Sequence, residues 1–146
     1  MFMSVLLDYT KLQCLYSGKY GNIYNSGYQG LIICEYLGVW RVDDKECVKD
    51  FEAGVSLLIK NKAIVNICDH RKQHVITQDI TNWLLLNWYR KLYNAGLKYE
   101  IIISPELKTA RISFNRLVSK DVIEGIIVET YDSPDSAFKR ALKYIK

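Results

Sequence analysis

The residues with the clearest chemical potential form a short run near the middle of the chain. Cys68, His70 and His74 offer three side chains of the kinds that bind zinc. Against a metal site, Arg71 and Lys72 place two fixed positive charges beside the cation, and the spacing matches no known zinc pattern. We therefore predict that the protein holds no metal and no other cofactor.

The same run contains a nucleophile and a base, but no complete catalytic set. Residues two apart on a strand share a face, so Cys68 and His70 could meet. The spacing identifies no third group that would orient the histidine. It also gives no Ser-His-Asp arrangement, and no Gly-rich loop stands between a strand and a helix. We predict that the protein is not an enzyme.

The starts of three predicted helices are the best candidates for a ligand site. Thr77, Ser104 and Ser133 precede these helices, whose free N–H groups favour an anion. Ligands gather at the carboxyl ends of parallel strands, so the three starts should converge there. The predicted ligand-binding residues are Asp69, His70, Arg71, Thr77, Ser104, Lys108 and Ser133. The alternative is that these hydroxyl groups only cap their own helices.

A large aromatic residue on a polar side of a helix indicates a surface for a partner. Residues three and four apart, such as Leu84, Trp88 and Leu92, define the core face of the second helix. Trp83 falls on the polar side of that helix. The predicted partner-binding residues are Trp83, Tyr89 and Arg90, facing another protein or a second copy of the chain. The alternative is that a neighbouring loop covers Trp83.

Two sequence patterns define the elements that must position these residues. Up to residue 40, six tyrosines lie between Gly and Ser turns, which is typical of strands and hairpins. The predicted strands there are Leu12–Tyr16, Asn22–Asn25 and Leu31–Leu37, with a possible edge strand at Met3–Leu7. From residue 41, helices alternate with strands predicted at Ala63–Cys68, Tyr99–Ile103 and Ile126–Thr130.

Start and stop signals define the helices of this second part. Thr77 caps a helix that runs to Asn94 and is closed by Gly96. Ser-Pro-acid runs at 104–106 and 133–135 predict two further helix starts. The order predicts an α/β fold: a mixed, mainly parallel sheet of four or five strands flanked by four helices, with an N-terminal antiparallel hairpin extension.

Composition narrows the class of protein. A chain of 146 residues, 49% hydrophobic and 25% charged, is typical of one globular domain; residues 1–22 would be an N-terminal extension or edge strand. The net charge of +4 is interleaved along the chain, which disfavours nucleic acid as a partner. We predict a cytoplasmic protein with free cysteines, because we find no membrane span and no signal peptide.

Several segments resemble a known family and follow its order along the chain. They are Asp79-Ile80-Thr81-Asn82-Trp83, Trp88-Tyr89, Ala95-Gly96-Leu97-Lys98 and Ile103-Ser104-Pro105. Over roughly residues 20–146 the chain is similar to the STAS/CRAL-TRIO-like small bacterial domains, relatives of the anti-sigma-factor antagonists. The resemblance implies a mixed sheet surrounded by helices. It also implies either docking of protein partners or carriage of lipid-like ligands.

The protein-docking branch carries a phosphorylatable serine at the start of its second helix. Here that loop reads Val75-Ile76-Thr77-Gln78-Asp79, so Thr77 alone could stand in for the serine. We predict a non-catalytic binding and regulatory domain, foremost a protein-interaction module. The alternative is a carrier or sensor of a small anionic or lipid-like ligand, and an enzyme comes third.

Overall fold

A computed structural model describes residues 7–118 and 121–145. Its strands are β1 (Gln13–Ser17), β2 (Gly21–Asn25), β3 (Leu31–Gly38), β4 (Val65–Gln73), β5 (Tyr99–Ile103), β6 (Val122–Ile123) and β7 (Ile126–Tyr131). Its helices are α1 (Lys45–Lys60), α2 (Gln78–Trp83), α3 (Tyr89–Asn94), α4 (Lys108–Leu117) and α5 (Pro134–Tyr144). A π-helical turn, Leu84–Trp88, joins α2 to α3. The predicted edge strand Met3–Leu7 lies outside the described residues, except for Leu7.

The seven described strands form one sheet in the order β1-β2-β3-β4-β5-β7-β6. The four central strands β3, β4, β5 and β7 run parallel, and the outer pairs are antiparallel. The fold is α/β with a mixed sheet, as predicted, but the sheet has seven strands rather than four or five. The N-terminal hairpin belongs to the sheet because β2 pairs with β3 along its length. Strand β6 has only two residues, too few to give an alternating pattern.

Side-chain alternation gives this sheet two buried faces. The helix-rich face packs against α1 to α4, and its buried side chains include Ile32, Phe51, Cys68, Tyr89, Ile102 and Phe114. The α5 face packs against α5, and its buried side chains include Leu7, Ile33, Ile67, Ile101 and Phe138. Successive residues of a central strand therefore project to opposite sides of the protein.

Strand β4 is longer than the sequence pattern predicts. The pattern ends the strand at Cys68, because charged residues follow, whereas the structure continues it to Gln73. Pairing with β3 explains the extension, since the parallel register runs on to Gly38 opposite Gln73. His70 is therefore a buried strand residue rather than a solvated loop residue.

Helix α4 begins later than predicted, so Ser104 is not its cap. The first helical residue is Lys108, and Leu107 occupies the N-cap position without a side-chain hydrogen bond. Ser104 is buried, and its backbone N–H donates to Tyr131 O at 3.0 Å. The next residues also join strand ends, because Glu106 N donates to Arg71 O at 3.2 Å. Residues 104–106 thus tie the sheet together before the helix starts.

The other two predicted helix starts agree with the structure. Thr77 Oγ1 accepts a hydrogen bond from Ile80 N at 3.3 Å, and Ser133 Oγ accepts one from Ser136 N at 3.1 Å. The helix that begins after Thr77 continues through the π turn to Asn94, as predicted. Gly96 follows with φ +103°, the left-handed geometry that ends the helix.

The π turn changes which residues of this helix face the sheet. In a π turn, hydrogen bonds join residues five apart instead of four. The backbone N–H of Tyr89 accordingly bonds to Leu84 O. Tyr89 is thereby aligned with Leu84 and lies buried against the sheet.

Candidate functional site

The structure places the predicted anion-binding residues on both faces of the sheet. Asp69 and Arg71 belong to the α5 face, whereas His70 projects to the helix-rich face among the rings of Tyr36 and Phe114. The two confirmed caps are also separated, with Thr77 starting α2 on the helix-rich side and Ser133 starting α5 on the other. The carboxyl ends of the parallel strands do meet at one edge of the sheet, as expected for parallel pairing.

Asp69 is a buried carboxylate whose hydrogen-bonding capacity is already used. Arg71 donates to it from Nε at 3.0 Å and Nη2 at 2.9 Å, and Tyr9 OH donates at 2.6 Å. Burial acts to raise the pKa of Asp69, but these hydrogen bonds and the charge of Arg71 outweigh it, so the pKa lies below its usual value. The Asp69–Arg71 pair is thus committed to the protein's own structure.

His70 carries no charge near neutral pH and is not accessible to a ligand. Its side chain is buried, and Nδ1 lies 2.5 Å from Gln73 Oε1. Burial lowers the pKa of His70 to about 4. Its neighbour on the same face, Cys68, is also buried, and burial raises the pKa of that thiol well above its usual range. This pair therefore lacks the ionised thiolate that a cysteine nucleophile requires.

The remaining predicted ligand residues differ in exposure. Lys108 and Thr77 are exposed, Ser133 is half-buried, and Ser104 is buried. Asp69 and His70 of the same predicted set are also buried. Binding of a small anionic or lipid-like ligand at these residues stays a prediction.

The three residues predicted to form the partner surface on the second helix differ in exposure. Trp83 is half-buried, and its ring packs on Phe51 of α1 with centroids 5.4 Å apart. Arg90 is exposed and forms an ion pair with Glu124 at 3.7 Å. Tyr89 is a core residue only 1% exposed, so its assignment to the partner surface is wrong. The π turn causes this difference by turning Tyr89 inward.

The structure also contains a groove at the carboxyl edge of the sheet that the sequence patterns do not predict. It lies between the connection from β3 to α1 and the start of α2, and it encloses about 440 Å³. We call it the α2 groove; its lining residues are Val39, Trp40, Arg41, Val42, Asp43, Thr77 and Asp79. Val39 and Val42 are 45% and 38% exposed, whereas Trp40 between them is 1% exposed. The groove thus combines exposed aliphatic walls with a fixed aromatic base.

An aromatic cluster holds the groove in shape. Trp40 packs edge-on against Tyr36 and Phe51, with ring centroids 4.9 Å and 4.8 Å away. The ends of β3 and β4 are joined above it, because His74 N donates to Gly38 O at 2.9 Å. The signal in the sequence is the group of apolar residues Val39, Trp40 and Val42, interrupted only by Arg41, directly after a strand. This stretch is too short to define a hydrophobic period, so it is predicted as a loop.

The groove carries charges of both signs but no reactive pair. The Arg41 guanidinium lies 3.2 Å from each oxygen of Asp43, and Asp79 occupies the first turn of α2. Thr77 contributes an exposed hydroxyl group at its rim. Among residues 7–118 and 121–145, no group of three His, Cys, Asp or Glu side chains is placed to hold a metal ion. The groove is suited to non-covalent contact with an apolar segment.

Comparison with known proteins identifies the fold. No protein family matches the sequence, and no curated protein matches it. Solved structures do match. The anti-sigma factor antagonist SpoIIAA in its unphosphorylated form is 15% identical, with a TM-score of 0.53 over 92% of this chain and 98% of that one. An anti-sigma factor antagonist from Mycobacterium paratuberculosis is 13% identical, with a TM-score of 0.52 over 90% of this chain and 95% of that one.

The chain therefore has the mixed α/β fold of the anti-sigma-factor antagonists, as the resemblance implied. At such low identity the similarity is one of fold. The link to CRAL-TRIO proteins, which belonged to the same resemblance, stays a prediction. In the described part of the chain, no helix is both long and apolar enough to cross a membrane.

Proposed function

We propose that this chain is a regulatory domain that binds another protein and performs no catalysis of its own. The observation that carries the proposal is the α2 groove, in which Val39 and Val42 stand exposed on either side of buried Trp40. Exposed aliphatic residues around a fixed aromatic base are the features of a protein contact. Partner binding also fits the two structural neighbours, because each is named as an antagonist of another protein.

The chemistry of the described residues supports binding over catalysis. The two groups that could form a nucleophile and base, Cys68 and His70, are both buried and uncharged at neutral pH. Two of the charged groups at the groove, Arg41 and Asp43, are paired with each other. Neither set provides an accessible acid and base facing a cavity.

The test is a binding experiment with variants of the groove. The tagged chain is used to isolate proteins from the source cells, and each candidate is then purified and titrated against the chain. The variant Val39→Asp/Val42→Asp should weaken binding by at least tenfold, because it puts two charges on the apolar walls. Ile59→Asp is the matched control, since Ile59 is an exposed aliphatic residue of α1 outside the groove. Equal affinities for both variants, or no protein that binds as a pure component, would overturn the proposal.

Thr77 provides a second test at the rim of the same groove. A negative charge at this position would lie beside Asp43 and Asp79 and alter the surface that the partner contacts. Thr77→Glu should therefore change the affinity for the partner by about tenfold. Ser133→Glu is the matched control, because it replaces a helix cap in the same way on the α5 side. If the two substitutions change the affinity equally, Thr77 has no special place in the contact.

A further inference from the structure

Helix α4 presents an unusual distribution of charge on its outer surface. Its ten residues include three cations, Lys108, Arg111 and Arg116, and no carboxylate. All three are exposed, and none forms an ion pair with a carboxylate of the described residues. The other long helices, α1 and α5, contain charges of both signs. The positive charge of α4 is thus uncompensated within the described part of the protein.

The two arginines are held in place by backbone groups. Arg111 donates from Nε and Nη2 to Pro105 O at 3.2 Å and 3.1 Å. Arg116 donates from Nη2 to Ile76 O at 3.3 Å. A carbonyl oxygen orients a guanidinium group but does not neutralise it, and Arg keeps further N–H donors free for a carboxylate. Both cations are therefore pre-positioned at the surface.

Apolar side chains lie among these cations. Ile112 is 62% exposed and lies one turn from both Lys108 and Arg116. Val75 is 41% exposed, and its neighbour Ile76 is tied to α4 because Ile76 N donates to Ser113 Oγ at 2.9 Å. We call this region the α4 surface; its residues are Val75, Lys108, Arg111, Ile112 and Arg116.

The α4 surface adjoins the α2 groove. The loop that carries Val75 begins at His74, which bonds to Gly38, and Gly38 immediately precedes groove residue Val39. The same loop ends at Thr77 on the groove rim. A segment of a partner that fills the groove can therefore continue across this loop onto α4.

We infer that the α4 surface binds an acidic segment of the protein partner, with an aliphatic residue between two carboxylates. This inference rests on the proposed function, because it takes the occupant to be part of that partner. Lys108 and Arg116 are eight residues apart, which is about 12 Å along a helix. An extended segment covers that distance in about four residues. The carboxylates should therefore stand about four residues apart, with the aliphatic side chain on Ile112.

A protein segment fits this surface better than a nucleic acid or a membrane. The cations number only three, and Glu106 lies two residues before the first of them. Asp79 in the adjacent groove would repel a continuous line of phosphates. A peptide with a few spaced carboxylates avoids both acids while it pairs with the cations.

The test uses a synthetic peptide with two glutamates about four residues apart and a leucine midway. It is titrated into the isotope-labelled full chain, and backbone amide shifts are recorded. We expect shifts at Val75 and residues 108–116, and weaker binding at higher salt. The same peptide with lysines in place of the glutamates should not bind. Shifts confined to other regions, equal binding of both peptides, or binding only of RNA or phosphatidylserine vesicles would overturn the inference.

A charge reversal makes the test specific. Lys108→Glu should weaken binding of the acidic peptide at least tenfold and strengthen binding of the lysine peptide. Lys143→Glu is the matched control, because it makes the same change at an exposed position of α5. If Lys108→Glu and Lys143→Glu have equal effects, long-range charge alone explains the binding and the inference is wrong. A failure here with intact dependence on Val39 and Val42 would leave the proposed function standing.

Discussion

Two buried carboxylates on neighbouring strands are stabilised in opposite ways. Asp69 on β4 faces the α5 side and accepts hydrogen bonds from the side chains of Arg71 and Tyr9. Glu100 on β5 faces the helix-rich side, where Tyr89 OH donates to Oε1 at 2.6 Å and no cation of the described residues forms an ion pair with the carboxylate. The two residues are 2% and 1% exposed, so burial alone does not distinguish them. The difference lies in whether a cation faces the carboxylate.

The protonation of the two groups follows from this difference. Burial raises the pKa of Glu100 to about 7, and hydrogen bonds from Tyr89 and Cys68 offset only part of that effect. For Asp69, the guanidinium of Arg71 reverses the effect of burial, and the pKa lies below its usual value. The α5 face therefore keeps a fixed ion pair near the carboxyl edge. The helix-rich face, which positions the α2 groove, has an interior that is most stable when neutral.

The largest expected effect comes from removing the cation on the α5 face. Arg71→Ala leaves the charge of Asp69 buried, with Tyr9 as its remaining side-chain donor. Loss of one partner from a buried pair costs roughly 3–5 kcal/mol, and because Arg71 is partly exposed we expect about 3 kcal/mol. Urea unfolding at pH 7 measures the loss. Arg90→Ala, which breaks the exposed pair with Glu124, should cost less than about 1 kcal/mol. Equal losses of stability in the two variants would show that the buried pair contributes no more than the exposed one.

The second expected effect is a change in how stability depends on pH. Two buried groups of the helix-rich face, Glu100 and His70, contribute to this dependence with opposite signs. The pKa of Glu100 rises from 4.5 to about 7 on folding, so within that range the folded state holds the extra proton and stability falls as pH rises. The pKa of His70 falls from 6.5 to about 4 on folding, so the unfolded state holds the extra proton and stability increases with pH. The two slopes largely cancel between pH 4.5 and 6.5.

Single substitutions should reveal each slope. Relative to the wild type, Glu100→Gln should gain up to about 1.4 kcal/mol of stability per pH unit between pH 5 and 7. His70→Gln should lose a similar amount per pH unit between pH 4.5 and 6.5. Urea unfolding across this pH range measures both slopes. Two variants whose curves run parallel to that of the wild type would show that neither group changes its pKa on folding.

The sequence predicted most of the elements because their signals are local. The caps Thr77 and Ser133 each act within three residues, and the strands around Ile33 and Ile101 are runs of apolar residues. Features that depend on contacts between distant segments of the chain were not predicted. The extension of β4, which buries His70, requires the opposite strand β3.

The candidate site was less predictable than the fold. Helical periodicity predicts Tyr89 at the surface because it assumes hydrogen bonds between residues four apart, whereas the π turn joins residues five apart. Ser104 carried the signal of a helix start, but its backbone is used to join strand ends. The α2 groove depends on the packing of Trp40 against Tyr36. No helical or strand periodicity in the sequence predicts that contact.

The smallest expected effect tests the core position of Tyr89. Tyr89→Phe removes only the hydroxyl group that donates to Glu100, which should cost about 1–2 kcal/mol. Tyr93→Phe, at a position 53% exposed on the same helix, should change stability by less than about 0.5 kcal/mol. Thermal unfolding at pH 7 distinguishes the two variants. A larger loss of stability for Tyr93→Phe than for Tyr89→Phe would contradict the core position of Tyr89.

The most direct test of the proposed function is the footprint of the partner on the chain. Hydrogen–deuterium exchange is measured for the chain alone and in complex with the purified partner. Binding at the α2 groove predicts slower exchange at residues 38–43 and 76–80, with the α5 segment 134–144 unchanged. Protection confined to residues 89–94 or to α5, with the groove amides unaffected, would contradict the account.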